Sequence, residues 1–117
     1  MMHMEIYKPF SIVVVPFPFT DARRAKKRPA VVLSSEDYQE HTKHITLLMV
    51  TSAKHSEWYG DYRITDLEAT GLTAESIIRQ KIFTLDSRLI LDCIGKVSQK
   101  DKDHVLKRLQ KHLKVFA

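Results

Sequence analysis

The sequence predicts a mainly β fold (β plus α): a small β-barrel or half-open sheet of about six to seven short strands, with an amphipathic helix at the C-terminus. Two observations predict it. Short runs rich in β-branched and aromatic residues recur along the chain, each bounded by proline, glycine or a polar stretch. Only the C-terminal stretch shows a sustained helical period.

Ser11 to Val15 is the first strand, and the prolines at 16 and 18 should end it, because proline cannot donate to a central ladder. A basic stretch, ARRAKKR from Ala22 to Arg28, then reads as a loop. Pro29 to Ser34 is the second strand and Ile45 to Val50 the third. The polar segment between them is either a turn or a short helix opened by Ser34 or Ser35. From Thr51 a polar loop carries Trp58, Tyr59 and Gly60, after which DYRI (61–64) is extended again. DLEATGL reads as a turn in which Gly71 is free to take positive φ. SIIRQKIFTL, from Ser76, is a long strand with room for a bulge, and LILDCIGKV the last strand. Ser98 and Asp101 resemble a capping box, and Val105, Leu106, Leu109 and Leu113 fall on one face of a helix of about 15 residues. Phe17 and Phe19 read as core plugs at the end of strand one.

With 117 residues the chain is expected to form one domain, 1–117, without repeats or linkers. A composition 44% hydrophobic and 28% charged is globular and argues against disorder. The apolar runs are far shorter than the roughly 20 residues of a membrane helix, so a cytoplasmic location without membrane association is expected. The lone Cys93, in an apolar strand, is expected to be a buried inert thiol. Nineteen Lys and Arg against fourteen Asp and Glu give a net charge of +5, which suits a polyanionic partner.

Three segments, SIVVVPFPFTD, KRPAVVLS and LLMVTS, are followed by the run from Gly71 to Asp86, GLTAESIIRQKIFTLD. In this order they resemble the MazF/PemK family of toxin endoribonucleases, from about Tyr7 to the C-terminal helix. The Arg28-Pro29 entry into strand two and the Gly71 to Asp86 run are the most specific pieces. Two departures stand out. Phe10-Ser11 replaces the family's usual Gly-Asp before strand one, and ARRAKK replaces the Ser-Glu-Gln stretch of other branches.

The resemblance implies an SH3-like barrel of the MazF/CcdB type and a metal-independent, sequence-selective endoribonuclease, the toxin of a type II toxin–antitoxin system. It also implies a homodimer, single-stranded RNA such as mRNA as substrate, and a cognate antitoxin protein as partner. Carried over by position, catalysis would rest on Arg28 and Thr51. A planar guanidinium suits the charge that builds on a phosphoryl group, and a strand-end hydroxyl can hold a phosphate oxygen. Without the resemblance, Arg28 reads rather as a surface ion-pair residue and Thr51 as a strand-end hydroxyl bonded to backbone. A non-catalytic protein of the same fold, which inhibits DNA gyrase or only binds RNA or antitoxin, is the alternative.

Around that pair, Arg23, Arg24, Lys26 and Lys27 are candidates for sequence-blind phosphate contacts, with a solvated charge run as the alternative. Ser52 and Lys54 follow Thr51 as further RNA-binding candidates, and His55 is either an acid–base group or a solvated loop histidine. Trp58, next to Tyr59, is a candidate base-stacking side chain or a cap on the barrel. Arg79 and Lys81 share strand parity, opposite Ile78 and Ile82, so both can line a groove beside Arg28. Lys107, Arg108 and Lys111 read as the outward face of the helix. The six histidines show no metal-ligand spacing, so neither a metal nor a cofactor is expected.

Overall fold

The computed structural model describes residues 5–17, 26–54 and 57–115. Six strands form a single antiparallel sheet: β1 (Ser11–Phe17), β2 (Lys26–Val32), β3 (His44–Ser52), β4 (Tyr62–Arg63), β5 (Ser76–Asp86) and β6 (Asp92–Lys96). Their spatial order is β4-β5-β3-β2-β1-β6, which curls into a half-open barrel with β4 and β6 at its edges. Helix α1 (Glu36–Thr42) joins β2 to β3, α2 (Leu67–Thr70) joins β4 to β5, and α3 (Gln99–His112) closes the chain.

The strands read as unbroken apolar runs because the sheet is buried on both faces. Ile12, Val31, Leu48 and Ile78 point to one core, which Val105 and Leu109 of α3 complete. Val13, Val32 and Leu47, their chain neighbours on β1 to β3, point with Leu85 of β5 to a second core on the opposite face. Alternation is present, but both halves of it are hydrophobic.

Several boundaries differ from the sequence reading, each for a local reason. Strand β1 does not stop at Val15 but runs through Pro16 to Phe17. The Val14 carbonyl accepts from Leu91 N–H, so two residues later the nitrogen of Pro16 faces that same side, where β6 pairing has ended. The missing donor therefore costs no ladder bond. Strand β2 starts at Lys26, ahead of the expected Pro29, so Lys26, Lys27 and Arg28 are strand residues paired with Phe17, Pro16 and Val15 rather than loop residues. Arg28 is thus not at a loop-to-strand junction.

The open choice after Ser34 resolves as a helix, with Ser35 as N-cap accepting from Tyr38 N–H and Lys43 in the left-handed region. DLEATGL contains the short helix α2, capped by Asp66 and ended by Gly71 at φ 76°. Cys93 is exposed rather than buried, since edge strand β6 has a neighbour on one side only. Leu106 is 38% exposed, while Val105 and Leu109 are buried, so the apolar stripe of α3 is narrower than its spacing suggests.

Asp101 is not the returning partner of a capping box. Ser98 does cap α3 by accepting from Asp101 N–H, but the Asp101 carboxylate is fully buried and turned toward β4. It accepts from the Tyr62 hydroxyl, the Thr65 hydroxyl at 2.6 Å and the Asp66 N–H at 3.0 Å. One carboxylate therefore docks α3 against the β4–α2 connection. These bonds overcome the cost of its burial and hold its pKa down to about 2.

Phe10 has φ 68°, a conformation that glycine adopts without cost, yet its ring is 8% exposed within the first core. Its N–H donates to Val32 O and its carbonyl accepts from Val97 N–H, so the kink ties the start of β1 to two other segments. Phe10→Gly is expected to relieve about 1–2 kcal/mol of backbone strain and to lose about 3–5 kcal/mol of ring packing. The urea midpoint should fall; a rise would show that the ring contributes little.

The depressed pKa of Asp101 makes its contribution present above the unfolded-state value near 3.8 and lost as pH falls through about 2. That contribution is worth about 2 kcal/mol. In urea titrations, Asp101→Asn should be less stable at pH 7 and should flatten the loss of stability between pH 4 and pH 2. An unchanged acid limb would assign that loss to other carboxylates.

Candidate functional site

The face that carries the second core changes character along its length. On β1 the inward series runs Val13, Val15, Phe17; on β2, Val32, Ala30, Arg28; on β3, Leu47, Met49, Thr51; on β5, Leu85, Phe83, Lys81, Arg79. One end of each series is apolar and lies in the core. The other end lines a cleft of about 240 Å³ that contains Arg28, Thr51, Arg79 and Lys81, with Phe17 and Met49 among its apolar walls.

Strand β5 reaches this arrangement through the bulge its length allowed for. Leu48 pairs with Ile82 but Met49 pairs with Arg79, so Gln80 and Lys81 are extra residues opposite β3. An insertion of two preserves parity. Arg79 and Lys81 consequently line one cleft, while Ile78 belongs to the opposite core.

The cations in the cleft are held differently. The Arg28 side chain has a buried Nε without a hydrogen-bond partner among the described residues. Arg79 is nearly buried and forms a fork with Asp61, Nε to Oδ1 at 3.1 Å and a terminal nitrogen to Oδ2 at 2.9 Å. Hydrogen bonding to that carboxylate raises the already high pKa of Arg79. The Lys81 ammonium lies 4.3 Å from the centroid of the Trp58 ring. Thr51 is 9% exposed at the end of the cleft.

Asp61 also orders the adjoining turn. Its second oxygen accepts from Trp58 N–H at 3.0 Å, and its own N–H donates to Trp58 O at 3.0 Å. Gly60, at φ 86°, lets the chain close between them, and a Cβ there would lie 2.8 Å from Gln80 Cγ. Chemically, the cleft offers one guanidinium whose buried Nε has no partner among the described residues, one fixed guanidinium, one ammonium and one hydroxyl. Such a set fits a phosphodiester, whose oxygens accept hydrogen bonds and carry negative charge.

The structure brings Arg28, Thr51, Arg79 and Lys81 together and sets Trp58 beside them over Lys81. Ser52 is half-buried at the end of β3 and accepts from Lys54 N–H at 3.3 Å, and Lys54 is exposed. Lys26 and Lys27 are exposed at the start of β2. Arg23, Arg24, His55 and Phe19 lie outside the described residues. Tyr59 is 83% exposed and does not cap the barrel. Asp61 escaped sequence reasoning: an aspartate after glycine signals a turn, whereas its pairing with Arg79 joins residues 18 positions apart. Among the described residues, no three His, Cys, Asp or Glu side chains gather as a metal site, and no helix is long and apolar enough to cross a membrane.

The family model of the PemK-like, MazF-like toxins of type II toxin–antitoxin systems matches residues 8–113. The chain belongs to this family. No curated protein matches the sequence. Among solved structures, MazE–MazF from Deinococcus radiodurans is 20% identical, with 94% of this chain and 98% of that chain covered and a TM-score of 0.72. Toxin MazF-mt6 of Mycobacterium tuberculosis is 15% identical over 86% and 93% of the two chains, with a TM-score of 0.69. An endoribonuclease in complex with its cognate antitoxin, from a mycobacterial species, is 11% identical over 90% and 92%, with a TM-score of 0.70. At these identities the likeness establishes the PemK/MazF fold. The half-open barrel and C-terminal helix expected from the sequence are this fold.

In this PemK/MazF domain the Asp61–Arg79 pair is close to buried, so breaking it from one side leaves a charge without a partner. Asp61→Ala is expected to destabilise the domain by about 3–5 kcal/mol and to release the Trp58 turn. Thermal unfolding and Trp58 emission report the two effects. Wild-type stability together with an unshifted emission maximum would show that neither the pair nor the turn depends on Asp61.

Proposed function

We propose that this toxin is an endoribonuclease that cuts single-stranded RNA, mRNA included, without a metal ion, and does so in the cleft of Arg28 and Thr51. The 2′-hydroxyl loses its proton as its oxygen bonds to phosphorus. The bond from phosphorus to the 5′-oxygen breaks, and that oxygen leaves with a proton. The products are a 2′,3′-cyclic phosphate and a 5′-hydroxyl. Negative charge rises on the non-bridging oxygens at the pentacoordinate stage, and positioned donors are worth most there.

The observation that carries this reading is the company Arg28 keeps. Its buried Nε has no partner among the described residues, and Thr51, Arg79 and Lys81 line the same cleft. In the proposed roles Arg28 stabilises the transition state and assists the proton transfer, and Thr51 orients the phosphate. Arg79, fixed by Asp61, and Lys81 bind flanking phosphates. Trp58 stacks an unpaired base, and Lys26, Lys27, Arg23, Arg24, Ser52, Lys54 and His55 extend the contacts. The relatives named as MazE–MazF and as an antitoxin complex support a cognate antitoxin as protein partner, and the working form is the homodimer that the family resemblance implies. A net charge of +5 suits both the RNA and an acidic inhibitor segment.

Single-turnover cleavage of a mixed-sequence RNA tests the assignment. Arg28→Ala should lower the rate by about 10²–10³-fold, comparable to removal of an oxyanion donor, and Arg28→Lys should restore little of it because the fork of donors is lost. Thr51→Ala should lower the rate as well. If both alanine variants cut at the wild-type rate, the chemistry lies elsewhere; if the wild-type protein leaves RNA intact, the domain binds without cutting.

A further inference from the structure

Beyond the cleft, a second depression of about 640 Å³ lies between the Trp58–Asp61 turn and the C-terminal end of α3. Lys107, Arg108, Lys111 and Lys114 line one wall and Tyr59 the other. The one carboxylate among its lining residues, Asp61, already serves Arg79 and the Trp58 N–H. The acids of α3, Asp101 and Asp103, both sit near its N-terminal end. Lys107 and Lys111, at i, i+4 spacing, repel one another on α3, and Lys114 adds a third positive charge just past the helix end. Proximity to the helix C-terminus offsets part of that repulsion, but it does not explain the opposite wall.

Tyr59 is 83% exposed, but the backbone that carries it is held in place. The turn on which it rides is closed by the reciprocal bonds between Trp58 and Asp61, by Gly60 at positive φ, and by the fork from Asp61 to Arg79. An exposed aromatic ring carried on a closed backbone turn offers a stacking platform. Across from it Arg108 is also fixed, 4.7 Å from the Tyr62 ring centroid and donating to His104 O at 3.2 Å. The turn therefore stands between two basic depressions. Trp58 lies over Lys81 on the cleft side, and Tyr59 lines the far side.

We infer that a single RNA strand leaving the cleft crosses this turn, stacks a base on Tyr59, and lays its phosphates along Lys107, Arg108, Lys111 and Lys114. This deepens the proposed ribonuclease reading and rests on it. The surface gives length-dependent affinity without base selection, because phosphate contacts carry no sequence information.

The test uses the full chain and 2′-O-methyl RNA, which cannot be cut by the 2′-hydroxyl route, in lengths of about 5 and about 16 nucleotides. The variant Lys107→Gln/Lys111→Gln/Lys114→Gln spares Arg108 and its contact with Tyr62, and circular dichroism checks its fold. Wild-type protein should bind the longer strand more tightly. The triple variant should lose that advantage, keep its affinity for the short strand, and show a log–log salt slope smaller by about 2, three single-strand phosphate contacts at about 0.7 each. Tyr59→Ala should weaken the long strand alone. Wild-type affinity and slope in the triple variant would overturn the extended track while leaving the cleft reading standing. Failure of the wild-type protein to bind either strand would overturn both. If the triple variant keeps its RNA affinity but loses binding to poly-glutamate, the surface belongs to an acidic protein segment and the RNA track is rejected.

Discussion

If β5 slipped by one residue against β3, Ile78 and Ile82 would enter the cleft and Arg79 and Lys81 would enter the core. Side-chain period two makes this an all-or-none constraint, and the site depends on it. The bulge at Gln80 and Lys81 satisfies it because two residues are inserted, not one. Cross-strand pairing then places Arg79 opposite Met49, two residues from Thr51, while Arg28 comes in on β2 opposite Val15. The cleft is thus the polar end of a core face. The same register that buries Val13, Val32 and Leu47 sets Arg28, Thr51, Arg79 and Lys81 around the cleft.

Much of this was legible in the residues. The apolar runs mark β1, β2, β3, β5 and β6, the Ser98 cap marks α3, and the shared parity of Arg79 and Lys81 survives the bulge. What was not legible depends on neighbours distant in sequence. Whether Pro16 ends a strand turns on which side its nitrogen faces, and β6 decides that. Whether Cys93 is buried turns on β6 being an edge. Asp61 and Asp101 look like turn and cap residues locally, yet each carboxylate is used across the fold, one on Arg79 and the other on Tyr62 and Thr65.

Those two carboxylates divide the labour of a basic protein. Asp101 fixes α3 to the β4–α2 connection, and Asp61 fixes the Trp58 turn to β5. Asp61 neutralises Arg79, which leaves Arg28 and Lys81 in the cleft and the lysines near the end of α3 as cations that no carboxylate among the described residues pairs. Phe10 shows a similar economy: a bulky residue holds a kink that suits glycine, and core packing secures the start of β1. Phe10-Ser11, standing where the resemblance leads one to expect Gly-Asp, therefore adopts a left-handed kink of the kind that glycine suits.

The central claim is that a ribose 2′-hydroxyl, activated among Arg28 and Thr51, performs the cut. Its most direct measurement maps one cleavage site in EDTA and then replaces the single nucleotide on its 5′ side with the 2′-deoxy form. Binding to the cleft should persist while cutting at that phosphodiester disappears, and the all-ribose control should still be cut there to 2′,3′-cyclic phosphate and 5′-hydroxyl ends. Cleavage that continues at the 2′-deoxy position would mean that water or another nucleophile attacks phosphorus, and the account would be wrong at its centre.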